Sequence, residues 1–116
     1  MQKAKRLIIA KSGLQFITLK VEEVAYFTTS NKIVFAVTAG GKKYLTNYNL
    51  AQLEAELDPE LFFRINRQHI INVVYVRSFV PYKKGQLLLT LHIPSDTEII
   101  VSQALTPLFK EWIHNL

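Results

Sequence analysis

Short hydrophobic runs that alternate with polar positions make up most of this chain. β-Branched and aromatic residues cluster in runs of about five to eight residues, separated by Gly, Asn, Ser or Pro. The pattern predicts β-strands at residues 6–11, 14–20, 24–29, 33–39, 42–47, 62–66, 75–82, 86–92 and 98–101. Glycine in the short connections at 12–13, 39–41 and 83–85 predicts tight turns between antiparallel strands.

One internal segment has helical spacing instead. Leu50, Leu53 and Leu57 recur at i, i+3 and i+7, which places them on one face. Asn49 as N-cap and Gln52 at the third helical position resemble a capping box. A short helix is therefore expected after the fifth strand.

A second helical segment closes the chain. Apolar residues keep helical spacing through 105–116, with Ser102 or Thr106 as the expected N-cap and Pro107 in the first turn. Since strands and helices do not alternate, a parallel nucleotide-binding sheet is not predicted. The predicted fold is mostly β, with elongated antiparallel sheets, one short helix and a C-terminal helix.

Composition is consistent with one packed domain over residues 1–116. The chain is 13.4 kDa, 49% hydrophobic and 20% charged, so it has enough apolar residues for a core. The lack of cysteine excludes disulfides, Cys zinc sites, iron–sulfur clusters and thiol catalysis. The apolar runs are far shorter than the roughly 20 residues of a bilayer span, which makes the cytosol the default location.

No catalytic constellation is apparent. The histidines at 69, 92 and 114 have no metal-site spacing, and each is expected to be a surface or partly packed side chain. Gly40 and Gly41 lack the following residues of a phosphate loop and are more simply a hairpin turn. We therefore expect no enzyme activity, no metal, no cofactor and no small-molecule substrate.

The charge distribution favours a polyanionic partner. The formal net charge is +5, and residues 24–53 and 61–95 contain no acid. Basic side chains at strand ends and turns of these spans are suited to successive phosphates. They are Lys32, Lys42, Lys43, Arg64, Arg67, Arg77, Lys83 and Lys84.

The densest polar run lies within residues 61–72. Five hydrogen-bonding side chains occupy six positions, while phenylalanines and isoleucines on both sides supply core anchors. Arg can bind guanine bidentately, and Asn or Gln can bind adenine, so such a turn suits reading a DNA groove. The five are Arg64, Asn66, Arg67, Gln68 and His69.

The order of these features resembles the LytTR DNA-binding domain, the output module of many bacterial response regulators. The similarity covers essentially the whole chain: Glu-Val-Ala-Tyr-Phe at 23–27, Ser-Asn-Lys at 30–32, the helix with its leucines, and Ile-Val-Ser at 100–102. The most specific match is Phe-x-Arg-Ile-Asn-Arg-Gln-x-Ile-Ile-Asn at 62–72, against the family's F-x-R-x-H-R-S-x-I-V-N.

The resemblance implies loops, rather than a recognition helix, that read promoter DNA in neighbouring major grooves, often as dimers on direct repeats and with some bending. When the family's contacts are carried over to this sequence, base contacts are expected at Asn31, Arg67 and Gln103. Phosphate or supporting contacts are expected at Ser30, Lys32, Arg64, Asn66, Gln68, Lys83, Lys84 and Ser102. Arg64 has an alternative role in an internal hydrogen-bond network, and Asn72 is expected to bind the backbone of the turn.

Three departures from the family pattern matter. The common His-Arg-Ser is Asn-Arg-Gln at 66–68, and the frequent Arg after the last loop's Ser is Gln103, which changes the bases that could be preferred. No receiver domain with a phosphoacceptor aspartate precedes the motif. A fragment of a two-domain regulator and a free-standing output domain both remain open.

Two other functions stay open at this stage. The first is a protein-interaction module, in which a sheet edge takes up a partner strand and the basic surface binds an acidic peptide. The second is binding of RNA or single strands, which needs exposed aromatic side chains on a sheet face. The candidates for that role, expected more simply in the core or at its rim, are Tyr26, Phe27, Tyr75, Phe79 and Tyr82.

Overall fold

A computed structural model describes residues 3–116 as two antiparallel sheets and two helices. The strands are β1 (Leu7–Ser12), β2 (Gln15–Lys20), β3 (Val24–Ser30), β4 (Ile33–Thr38), β5 (Lys43–Thr46), β6 (Phe62–Arg64), β7 (His69–Asn72), β8 (Val76–Pro81), β9 (Leu87–Leu91) and β10 (Ile99–Val101). The helices are α1 (Leu50–Glu56) and α2 (Thr106–His114).

The first sheet has the order β2-β1-β5-β4-β3-β7-β6, and the second has the order β10-β9-β8. Every pair of neighbouring strands is antiparallel. The mostly β fold and the helix after the fifth strand are therefore as predicted. Neither helix in the described part of the chain has the length and apolar character needed to cross a bilayer.

Two hydrophobic cores hold these layers together. On one face of the first sheet, Phe27 and Ile70 pair across β3 and β7 and pack with Leu53 of α1. On the opposite face, Ile71 packs with the second sheet and with Phe109 of α2. Each of these side chains is at most 1% exposed. Full burial of one large apolar side chain is worth about 1.5–3 kcal/mol, so both layers are firmly attached to the first sheet.

The tight turns and the start of α1 form where their local sequence patterns predict them. Gly13, Gly41 and Gly85 all have positive φ, the backbone conformation for which glycine was expected there. The Asn49 side chain accepts a hydrogen bond from the Gln52 backbone N–H at 2.8 Å, and the Gln52 side chain accepts one from the Asn49 backbone N–H at 3.0 Å.

Two details differ from the prediction. The run 62–66 was expected to be one strand, but β6 ends at Arg64, and residues 69–72 form a separate strand, β7, that was not predicted. All four residues of β7 are buried, so they show no alternation of apolar and polar positions. The expected N-cap of α2 was also wrong: Ser102 uses its carbonyl, which accepts from the backbone N–H of Thr106 at 3.0 Å, and neither side chain caps the helix.

Candidate nucleic-acid interface

The three loops expected to read DNA lie side by side. Residues 30–32 form the tip between β3 and β4, residues 66–68 join β6 to β7, and residues 102–104 join β10 to α2. The Thr29 backbone N–H donates to the Gln68 carbonyl at 3.0 Å, which joins the first loop to the second. The Ser102 backbone N–H donates to the Ile65 carbonyl at 2.9 Å, which joins the second to the third.

A fourth loop extends this line. A Cβ placed on Gly85 would lie only 3.2 Å from Cγ of Gln103, so the turn at 83–85 packs against the third loop. The Gln86 N–H donates to the Lys83 carbonyl at 2.9 Å and closes that turn. Residues 30–32, 66–68, 102–104 and 83–85 thus form one continuous line across both sheets, which we call the loop row.

The first loop is a two-residue hairpin under local strain. Asn31 has φ 51° and Lys32 has φ 67°, both in the left-handed region, and both residues are exposed. Left-handed backbone costs a non-glycine residue roughly 1–2 kcal/mol, although asparagine tolerates it better than most. Pairing of the flanking residues Ser30 and Ile33 holds the tip in this shape.

The amide of Asn66 joins the second and third loops. Its Oδ1 accepts from the Gln68 backbone N–H at 2.7 Å and lies 3.2 Å from Nδ1 of His69. Its Nδ2 donates to the Ile100 carbonyl, across to the second sheet, at 2.6 Å. These bonds fix the shape of the turn.

Arg64 holds the same turn from within. Its Nε donates to the Asn66 carbonyl at 3.3 Å, and one terminal nitrogen donates to the Arg67 carbonyl at 3.1 Å. The other terminal nitrogen lies 3.3 Å from a carboxylate oxygen of Glu54 on α1. The internal network anticipated as the alternative role of Arg64 is therefore present, and it leaves the exposed Arg67 side chain at the surface of the turn.

His69 packs beneath the second loop, a role that the sequence did not indicate. Its side chain is buried beneath the turn, with its ring centroid 6.0 Å from that of Tyr26, and burial lowers its pKa. Burial favours the neutral ring, which has one N–H. When that N–H is on Nδ1, it can donate a hydrogen bond to the nearby Oδ1 of Asn66. The dense polar run at 64–69 was the available signal, because polar residues that close together often bond to one another.

Asn72 binds backbone groups, but these lie outside the 66–68 turn for which it was expected. It is fully buried, its Nδ2 donates to the Val24 carbonyl at 2.9 Å, and its Oδ1 accepts from the Val74 N–H at 3.0 Å. Asn72 therefore joins the end of β7 to the start of β3 and to the following 3-10 turn, at the opposite end of these strands from the loop row.

The spans that lack acids in sequence are not free of acids in space. Glu54 reaches Arg64, and Asp96 lies 3.5 Å from Lys43, so two of the basic residues have carboxylate partners from outside their spans. Within residues 3–116, no carboxylate lies within 4.0 Å of the side-chain nitrogens of Lys32, Arg67 or Lys83, and the same holds for Lys84. The loop row therefore carries four basic residues without a carboxylate partner.

Three of the aromatic side chains considered for base stacking are packed against other parts of the chain. Tyr26 and Phe27 are at most 2% exposed, which removes them as a platform for stacking bases. Phe79 packs edge-on against Phe109, with the ring centroids 5.4 Å apart. No three His, Asp or Glu side chains among residues 3–116 are grouped as metal ligands would be.

Comparison with known proteins agrees with this arrangement. A solved structure, the LytTr DNA-binding domain of a putative methyl-accepting/DNA response regulator from Bacillus cereus, superimposes with a TM-score of 0.84 over 95% of this chain and 98% of that one, at 21% identity. Two heme-containing CO-sensing transcriptional regulators of Paraburkholderia xenovorans, RcoM 1 and RcoM 2, are 28% and 29% identical over 95 and 104 residues.

These matches cover 82% and 90% of this chain, but the chain spans only 35% and 38% of the length of the two regulators. The sequence model described as the LytTr DNA-binding domain matches residues 15–114. That range contains the whole loop row and both helices. The chain therefore belongs to the LytTr DNA-binding domain family.

Proposed function

We propose that this chain binds double-stranded promoter DNA sequence-specifically and regulates transcription, with the loop row lying over successive major grooves. The observation that carries the proposal is the loop row itself: four connections that are far apart in sequence are bonded or packed into one exposed line. Membership of a DNA-binding family and the four basic residues without carboxylate partners on that line support it.

The dimensions of the molecule support contact with more than one groove. Its longest principal extent is 43 Å. One helical turn of DNA is about 34–36 Å, so a body of this length is large enough to lie across two neighbouring major grooves of one duplex face.

The residue types divide naturally between base and phosphate contacts. Asn31, Arg67 and Gln103 are exposed at the tips of three different loops, and their side chains have the donors and acceptors that distinguish base edges. Lys32, Lys83 and Lys84, with the side chains of Ser30, Gln68 and Ser102, are assigned to phosphates. Arg64 and Asn66 are assigned to holding the loops in register.

The proposed setting is the output domain of a cytoplasmic response regulator that binds direct repeats as a homodimer. The two RcoM relatives are transcriptional regulators, and the B. cereus domain is part of a putative response regulator. A shared DNA-binding module with different input domains accounts for both kinds of relative.

Selection from a pool of random DNA duplexes at near-physiological salt tests the proposal directly. We expect an enriched motif, and repeated half-sites in it would support the homodimer. If about three to five phosphates are neutralised, the slope of log affinity against log salt should be roughly −3 to −4.5. A pool that stays random after several rounds, or equal binding of single strands in competition, would contradict the proposal.

A further inference from the structure

The second sheet covers only part of one face of the first sheet. On that face Tyr26, Val37 and Ile71 are buried beneath the second sheet and α2. The same face continues across β5, β1 and β2, where the side chains become exposed. We call this uncovered part the β1–β2–β5 face.

Large apolar side chains are concentrated on the β1–β2–β5 face. Leu7 is 51% exposed, Ile9 55% and Phe16 69%. The strand register places them together, since Lys11 lies opposite Phe16 on one side and opposite Leu45 on the other. A contiguous exposed apolar surface of this kind in a folded domain is typical of an interaction site.

A cavity opens beside this face, between β1 and β5. β1 and β5 pair at only two residue positions, and the gap where they separate has a volume of about 260 Å³. It is mostly apolar, and its lining includes Ile9, Phe16, Leu45 and Tyr48. The cavity therefore has the character of a pocket for an apolar side chain.

The charges around the face select the chemistry of the partner. Residues 3–21 contain five basic residues and no acid, and Lys11 and Lys20 share the exposed face with Ile9. Within the described residues no carboxylate lies within 4.0 Å of either lysine nitrogen. Two copies of this chain would bring like charges together, whereas an acidic partner would neutralise them.

We propose that the β1–β2–β5 face docks an acidic amphipathic segment of a partner protein, with an apolar side chain in the cavity and carboxylates at Lys11 and Lys20. No residue of the loop row belongs to this face. β1 also lies before residue 15, where the family match begins, so the site goes beyond the proposed DNA-binding function.

A selection of random twelve-residue peptides, displayed on phage against the immobilised chain, tests this proposal. The Ile9→Thr, Phe16→Thr double variant serves as the counter-selection target, because threonine keeps a high strand propensity while removing the apolar surface. We expect enriched peptides with a net negative charge and spaced apolar residues. The best peptide, fluorescently labelled, should bind the original chain at least tenfold more tightly than the double variant.

Three further measurements test where the peptide binds and whether charge contributes. Binding of the labelled peptide should weaken in the Lys11→Gln variant and with added salt, and amide NMR shifts on titration should lie on β1, β2 and β5. The double variant should keep its thermal unfolding transition and its affinity for the duplex selected above, which separates this proposal from the DNA-binding proposal.

Several results would overturn the proposal. They are enrichment of neutral or basic peptides, no enrichment at all, equal affinity for the double variant, and NMR shifts confined to the loop row. A dimer of the original chain in sedimentation equilibrium that the double variant abolishes would also overturn it, because the occupant would then be a second copy.

Discussion

The side-chain amide of Asn66, on the turn between β6 and β7, donates to the backbone carbonyl of Ile100, on β10 of the other sheet, at 2.6 Å. This bond joins the two sheets next to the exposed side chain of Arg67. The backbone bond from Ser102 to Ile65 runs beside it. The relative position of the second and third loops therefore depends on this side-chain amide together with one backbone hydrogen bond.

Removal of that amide should loosen the loop row. We expect Asn66→Ala to lower the free energy of unfolding in urea by about 1–3 kcal/mol, because the Gln68 N–H and the Ile100 carbonyl lose their partner. The selected duplex should bind more weakly, with a smaller loss on random DNA. Gln68→Ala, which truncates an exposed neighbour, is the matched control for stability. Unchanged stability of Asn66→Ala would show that the amide does not join the loops.

Base contacts and phosphate contacts should respond differently to truncation. Arg67→Ala should cost about 1–3 kcal/mol of binding to the selected duplex and relax the preference at one base position. Lys84→Ala should weaken cognate and random duplexes by the same factor and reduce the salt slope by about one. Fluorescence anisotropy on single-base variants of the duplex distinguishes the two. An equal loss on cognate and random DNA for Arg67→Ala would rule out its role in reading bases.

Stability and DNA binding should move in opposite directions at Lys32. Glycine adopts the left-handed backbone of this residue without steric cost, so Lys32→Gly should raise the free energy of unfolding by about 0.5–1 kcal/mol. Loss of the charge should weaken binding to every duplex. Lys83→Gly is the control, since it removes a charge from the loop row at a residue without positive φ and should not gain stability. A lower free energy of unfolding in urea for Lys32→Gly would show that the left-handed backbone of Lys32 is not strained.

The burial of His69 predicts a stability that falls in mild acid. Because burial lowers the pKa of this histidine below the ordinary 6.5, the unfolded chain takes up a proton that the folded chain resists. The contribution is fully present above pH 6.5 and is lost as the pH falls from there toward the folded-state pKa, by up to about 1.4 kcal/mol per pH unit.

Urea unfolding between pH 5.5 and 7.5 measures this effect. His69→Gln should flatten the dependence, whereas His92→Gln, at an exposed histidine, should leave it as it is. The same slope in the original chain and in His69→Gln would assign the acid sensitivity to other groups.

The sequence predicted the local elements well because their causes are local. The capping box of α1 lies within four consecutive residues, and the positive φ of Gly13 follows from a tight turn between two strands. β7 was missed because its residues are covered on both faces, so the alternation that identifies a half-buried strand is absent. The Ser102 side-chain cap was wrong because a 3-10 turn, Gln103–Leu105, intervenes before α2.

The amino-acid sequence by itself determined most of the strands, the turns, the first helix and the dense polar run at 64–69, since each depends on neighbours along the chain. Only the tertiary structure decided which of these residues meet. Asn66 and Ile100 are 34 positions apart, and Arg64 and Glu54 are 10 apart, so their bonds depend on strand register and sheet packing. The same packing aligns the loop row on one side and leaves the β1–β2–β5 face uncovered, because the second sheet is too narrow to cover the first.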